Sequence, residues 1–313
     1  MEHTLVFQSI MSIFIMILIG AILSRTFPFN EDTRRVFISL IVNVAMPCII
    51  LSSIFNVKME ENTFGIITAV FWISIFINLI GIFIGWLLAH NYYKGGNKTK
   101  EIALLSGIGN TGFIGIPLCA ILLGPEGALF AAIFDAGVDF TIWTAGVLLL
   151  QQKKQFTYHS LKSMINVPTL SIIIGLVFAY FHVTPPIIII NLTNQLAALA
   201  APVAMFYIGV LLMTLPSAKV QKLGSQALLP IGVKLIILPV VTVLAMHYVP
   251  LEIEVKQTII IQSMMPTLTL ASILFAKYAA DEDFGAVTTI LSTLIALFSI
   301  PIMIYLINIF YAI

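Results

Sequence analysis

The chain has 313 residues, of which 60% are apolar and only 9% charged. A soluble domain carries roughly 25% charged residues, so this composition cannot cover an ordinary globular fold with a water-facing surface. Fifteen Lys and Arg against fourteen Asp and Glu leave a net charge of +1, which argues against a nucleic-acid partner. The expected class is an all-α polytopic membrane protein in a lipid bilayer.

A hydrocarbon layer of about 30 Å takes about 20 mostly apolar residues per helix. Apolar runs between turn signals predict ten spans: 4–24, 36–55, 64–89, 102–123, 127–150, 165–182, 196–214, 226–248, 255–277 and 285–311. The first follows Met-Glu-His without a basic segment and is too long for a signal-peptide core, so it reads as a span. The runs are continuously apolar, whereas barrel strands alternate polar and apolar side chains, which excludes a β-barrel. The longest polar stretches, Asn91 to Glu101 and Gln151 to Ser163, leave no room for a nucleotide-binding, protease or sensor domain. Cys48 and Cys119 lie inside apolar segments, where neither a disulfide framework nor a metal site is indicated, and no cofactor is expected.

Lys and Arg collect in short cytoplasmic loops. Arg25, Arg34, Arg35, Lys94, Lys98, Lys100, Lys153, Lys154, Lys162, Lys219, Lys222 and Lys277 fall in odd-numbered connections, against Lys58 and Lys256 in even ones. This segregation predicts both termini outside. Five spans per half then make two inverted repeats, residues 1–150 and 164–313, joined by a cytoplasmic linker at 151–163. Gly20 and Gly175, like Pro47 and Pro202, are 155 residues apart, and Gly127 and Gly285 are 158 apart.

The fourth and ninth spans carry breakers. Leu105-Ser-Gly-Ile-Gly-Asn110-Thr111-Gly112-Phe-Ile-Gly-Ile-Pro117 places four glycines, an amide and a hydroxyl inside the membrane, and Gln262-Ser263-Met-Met265-Pro266-Thr267-Leu-Thr269 does likewise in the other half. Unpaired backbone groups in lipid cost several kcal/mol each, so such breaks persist only where protein or a water-filled cavity satisfies them. Interrupted segments in corresponding positions of two halves point to a midplane binding site. Helix N-termini facing that site suit an anion, a carboxylate above all. The registers match imperfectly, because Pro117 and Pro266 are 149 residues apart.

Asp135 and Asp139 lie on one face of span five, and a carboxylate at membrane depth points to a cation or proton pathway; a structural ion pair is the bland alternative. Lys234 sits about 12 Å into span eight, at a depth similar to Asp139, which predicts that the two pair unless Lys234 snorkels to the interface. An intramembrane aspartyl protease is a poor reading, because neighbours on one helix face cannot approach a peptide from opposite sides.

Asn110-Thr-Gly-Phe-Ile-Gly-Ile-Pro117-Leu, with Gly124, Gly127 and Trp143 after it, resembles the auxin efflux carrier family of membrane transporters, as does Gln262-Ser-Met-Met-Pro266 followed by Phe275-Ala-Lys277-Tyr278. The resemblance covers essentially the whole chain and implies a fold similar to bile acid symporters. Spans one, two, six and seven would form a scaffold, and spans three to five and eight to ten a transport domain in which four and nine cross. It further implies an elevator-type carrier of small organic anions such as malate, malonate or auxin-like acids, in the cell membrane and not an enzyme. Asn110, Thr111, Gly112 and Pro117 would form one crossover, and Gln262, Ser263, Met265, Pro266 and Thr267 the other. Asn43, Pro47, Pro202 and Tyr207 would line the scaffold side of the path. Coupling to H+ or Na+ would involve Asp135, Asp139 and Lys234, and a homodimer would form through the scaffold. An anion channel, or an Na+/H+-coupled symporter of another organic acid, is the alternative. Ala271 stands where the family often has a second proline, which leaves the geometry of the ninth span open.

Overall fold

The computed structural model describes residues 3–57, 62–151, 165–213 and 217–310, and among them every regular element is helical. Except for Gln151, the linker expected at 151–163 lies outside the described residues. In chain order the helices are α1 (His3–Leu23), α2 (Glu31–Leu40), α3 (Met46–Asn56), α4 (Thr63–Tyr93), α5 (Asn97–Gly107), α6 (Ile116–Thr141) and α7 (Val147–Leu150). They continue with α8 (Val167–Tyr180), α9 (Ile187–Ala197), α10 (Ala200–Leu212), α11 (Ser217–Gly232), α12 (Leu238–Tyr248), α13 (Ile253–Ser263), α14 (Ala271–Lys277) and α15 (Glu282–Phe310). Wider π-helical turns join α2 to α3, α6 to α7 and α11 to α12, and one at Thr111–Gly115 precedes α6.

Six helical runs among the described residues are long and apolar enough to cross a membrane, including Thr63–Tyr93, Ala218–Tyr248 and Glu282–Tyr305. One of them, Thr111–Leu150, has 40 residues. A straight helix of that length would measure about 60 Å, twice a hydrocarbon layer. It does not run straight, because Gly124 turns the backbone to φ 70°, a conformation that favours glycine, and Pro125 follows. The bend falls between the fourth and fifth expected spans.

Large side chains cover the outside. Trp72, Phe76, Phe83 and Trp86 form an exposed stripe along α4, with Phe76 62% accessible. An apolar face of this extent needs lipid around it rather than water. The protein is an integral membrane protein.

The helices pack in two neighbourhoods. In one, α1 lies against α10, and α3 against α8 and α9; in the other, α4 packs on α5 and α6, α11 on α15, and α13 on α6 and α12. Contact of α3 with α6 joins them. Glycines permit the close approaches in the first group, the tightest at Gly209, where a Cβ would stand 2.0 Å from the Ile17 carbonyl oxygen. A Cβ on Gly20 would stand 2.3 Å from the Phe206 carbonyl oxygen, and one on Gly175 would stand 2.4 Å from Ile54 Cδ1. The two cysteines are unbridged.

Candidate functional site

Helix α5 ends at Gly107 because Ile108 is extended, and helical geometry resumes at Thr111 after Asn110 adopts φ −83°, ψ 62°. The second interruption runs from the end of α13 at Ser263 to the start of α14 at Ala271. The two breaks meet. Gly109 and Thr267 form an antiparallel bridge, and the Asn110 amide N–H donates to the Pro266 carbonyl at 2.7 Å. Each break thus supplies partners for backbone groups that the other has freed. Helix α15 adds hydroxyls: Ser292 Oγ accepts from the Thr267 N–H at 3.1 Å, and Thr289 Oγ1 donates to the Leu268 carbonyl at 2.8 Å. The Asn110 side-chain amide donates to Thr269 Oγ1.

A cavity of about 110 Å³ opens beside this crossing, and its polar lining comprises Asn110, Thr111, Asp135, Asp139, Asn166 and Thr269. The Thr111 hydroxyl donates to Asp135, and Asn166 Nδ2 donates to Asp139 Oδ2 at 2.8 Å. Asn166 Oδ1 also accepts from the backbone N–H and the hydroxyl of Thr169, both at 2.8 Å, capping α8. A Cβ at Gly112 would stand 2.9 Å from Asp135 Oδ2 and 2.9 Å from Met46 Cε, so glycine there lets the carboxylate approach the chain. A second cavity of about 540 Å³ shares Thr269 and extends to Arg34, Lys219 and Asp283.

The structure draws Asn110, Thr111, Gly112, Asp135 and Asp139 together around one cavity, with Pro266 and Thr267 in the backbone crossing behind it. Gln262 and Ser263 are buried one turn away. Gln262 Nε2 donates to the Ala131 carbonyl at 3.1 Å, and Ser263 Oγ donates to the Ile260 carbonyl at 2.7 Å. Met265 is fully buried, and a Cβ at Gly109 would stand 3.4 Å from its carbonyl oxygen. Pro117 is not at the break. It follows the break by several residues, inside the helical run that begins at Thr111 and directly after the π-helical turn Thr111–Gly115.

The expected Asp139–Lys234 pair does not form. Asp139 is held by Asn166, while Lys234 Nζ donates to the Gly107 carbonyl at 3.3 Å. Equal depth in two helices does not fix the direction in which either side chain points. Asp135 lies against Gly112, and Lys234 lies against Gly109.

On span two the cavity is lined by Val42 and Met46, whereas Asn43 is exposed and donates from its amide to Ser39 Oγ at 3.1 Å. Pro47 is buried in the first turn of α3, and Pro202 is half-buried in α10. Tyr207 is 1% exposed and packs its ring on Phe29, Phe37 and Phe113, so it touches the broken segment through Phe113. Sequence reasoning did not single out Asn166, Thr289 or Ser292. The signal for the last two was Thr288-Thr-Ile-Leu-Ser-Thr293, four hydroxyls within an apolar span.

Residues 5–304 match the family described as Membrane transport protein. The chain belongs to the auxin efflux carrier family of membrane transporters. A relative from Methanothermobacter thermautotrophicus, described as an "Uncharacterized transporter", is 22% identical over 94% of this chain and 96% of its own. A Rhizobium meliloti protein described as a "Putative malonate transporter" is 24% identical over 96% of this chain and 95% of its own. In this auxin efflux carrier family member, both broken helices lie within the matched residues 5–304.

Proposed function

We propose that this protein is a plasma-membrane secondary carrier of small organic anions, built as ten spans in two inverted repeats, with the helix crossing as its substrate site. The observation that carries this reading is the antiparallel meeting of the two broken helices at Gly109 and Thr267 beside a polar cavity. Amides at the start of the Thr111–Leu150 run face a site where anions are favoured. The malonate description of the Rhizobium relative supports a short dicarboxylate as substrate.

The glycine contacts support the repeat. Gly20 of α1 meets α10 as Gly175 of α8 meets α3, the exchange of partners that an inverted pseudo-twofold produces. The packing of α1 on α10 and of α3 on α8 and α9, with α8, α9 and α10 all meeting the π-helical turn Ile41–Ala45, supports a scaffold against which the crossing moves as an elevator.

Charge balance favours coupling. Asp135 and Asp139 line the same cavity, so an anion entering it adds negative charge to two carboxylates at membrane depth. Binding of H+ or Na+ at this pair offsets that repulsion, which makes the carrier a symporter rather than a uniporter.

Counterflow in proteoliposomes tests the reading. Labelled malonate, and a panel of mono- and dicarboxylates, should accumulate transiently and saturably against unlabelled anion inside. Linear, non-saturating flux would identify a channel, and no flux of any carboxylate would reject the substrate class.

A further inference from the structure

Lys234 is 1% exposed, and among the described residues it takes part in none of the ion pairs, which join Lys98 to Glu101 and Asp281, and Lys219 to Asp283. An ammonium at membrane depth persists only where its surroundings supply negative charge or oriented dipoles. Here the candidates are backbone carbonyls. Helix α5 stops at Gly107, which leaves last-turn carbonyls without helical donors at the negative end of the helix dipole. Lys234 enters from the π-helical turn Val233–Ile237 and donates to the Gly107 carbonyl at 3.3 Å. It also fills the space left by the missing Gly109 side chain, where a Cβ would stand 2.9 Å from Nζ and 3.4 Å from the Met265 carbonyl oxygen. The amine therefore lies at the end of the first broken segment, beside Gly109, the residue that bridges to the second. Carbonyls at the C-terminal ends of broken helices are the groups that coordinate Na+ in other carriers.

We propose that the Lys234 ammonium is a tethered substitute for a monovalent cation at the carbonyl end of the first broken helix, so that the crossing stays assembled without Na+ at that place. The inference rests on the reading of the crossing as the working site. It separates two roles: Lys234 is a fixed charge on the Gly109 side, and any exchangeable H+ or Na+ belongs to Asp135 and Asp139 on the Gly112 side. A Cβ at position 109 would displace the lysine tip, because it would stand 2.8 Å from Lys234 Cε and 2.9 Å from Nζ.

The test compares wild type, Lys234→Ala and Lys234→Met, purified and melted in choline, sodium or methylammonium chloride at equal ionic strength. Choline is too large for the space, whereas Na+ and methylammonium can enter it. Lys234→Ala should melt several degrees below wild type in choline and recover more than half of that loss in Na+ or methylammonium. Lys234→Met, which fills the space with an uncharged chain, should not recover. A salt response in Lys234→Ala no larger than that of wild type would overturn the proposal, and so would failure of Lys234→Ala to yield folded protein in every salt, because a free cation then cannot replace the tethered one. Counterflow on the same preparations keeps the two claims apart. Salt rescue without carboxylate exchange rejects the transport reading alone, and exchange without salt rescue rejects the substitute-cation role alone.

Discussion

Asn110 works through two groups at once, its backbone N–H holding the Pro266 carbonyl and its side-chain amide holding Thr269. Removing only the side chain leaves the crossing tied by its backbone, so Asn110→Ala should remain folded in the membrane. It should lower counterflow by about tenfold to a hundredfold, the range for loss of a hydrogen bond to a charged ligand; undiminished exchange with a normal elution profile would remove Asn110 from the site. Glycines offer a steric counterpart. At Gly115 a Cβ would stand 2.0 Å from Gln262 Oε1, so Gly115→Ala must displace a buried amide that holds α6, and its melting temperature should fall by more than that of Asn110→Ala. Polar residues such as Asn110, Asp135 and Asp139 were legible because each interrupts an apolar run. The partner of Lys234 was not, since span boundaries give depth and leave rotation about the helix axis undetermined.

At the scale of elements, the breaks themselves were legible, but their centres were not. Prolines are strong breakers, which made Pro117 and Pro266 the natural landmarks, yet Pro117 sits inside a continuous helical run, directly after a wider π-helical turn. The residues that meet are Gly109 and Thr267, and their separation of 158 equals that of Gly127 and Gly285. Gly20 and Gly175, like Pro47 and Pro202, stand 155 apart, so aligning the breaks on their contact narrows the offset mismatch to three residues. Ala271 opens α14 without a proline, because hydroxyls from α15 hold the preceding backbone. Ser292→Ala should therefore cost about 1–3 kcal/mol in denaturation, the price of leaving the buried Thr267 N–H without its acceptor, while Pro117→Ala should cost less. A result in the opposite order would restore the proline as the organising residue.

The loop before α15 carries a second element-scale tie. Glu101, 3% exposed, accepts from the Asp281 backbone N–H at 2.9 Å, and Lys98 bridges Glu101 and Asp281 at 3.3 Å and 3.2 Å. Burial pushes the Asp281 carboxyl up, but the Phe284 amide and Lys98 outweigh it and hold the group below its usual value. A depressed carboxylate contributes stability above its unfolded pKa, about 4, and loses that contribution as pH falls through the lower folded value. Asp281→Asn should accordingly lower the melting temperature at neutral pH and flatten its decline in acid. An unchanged acid limb would show that Asp281 takes no part in it.

Across the whole molecule, hydropathy was enough to anticipate a helical membrane protein, although the helical runs at Ile187–Leu211 and Ala218–Tyr248 begin nine and eight residues before the spans expected at 196 and 226. Which helices pack together was not readable from hydropathy, because lipid-facing and protein-facing surfaces are equally apolar. The Asp139–Asn166 bond crosses from the α6 neighbourhood to the α8 neighbourhood, so it must break if the two groups slide past each other. Asn166→Ala should shift the resting population without abolishing exchange. The central claim, that the crossing moves as a body against α1, α3, α8, α9 and α10, is tested most directly by distances between spin labels. Suitable positions are Leu192 on α9 and Leu244 on α12, both more than half exposed. In proteoliposomes the account predicts two distance populations, whose proportions change when an exchanging carboxylate is added and when Asn166 is replaced. A single distance, unaltered by either, in protein that still exchanges anion would contradict it.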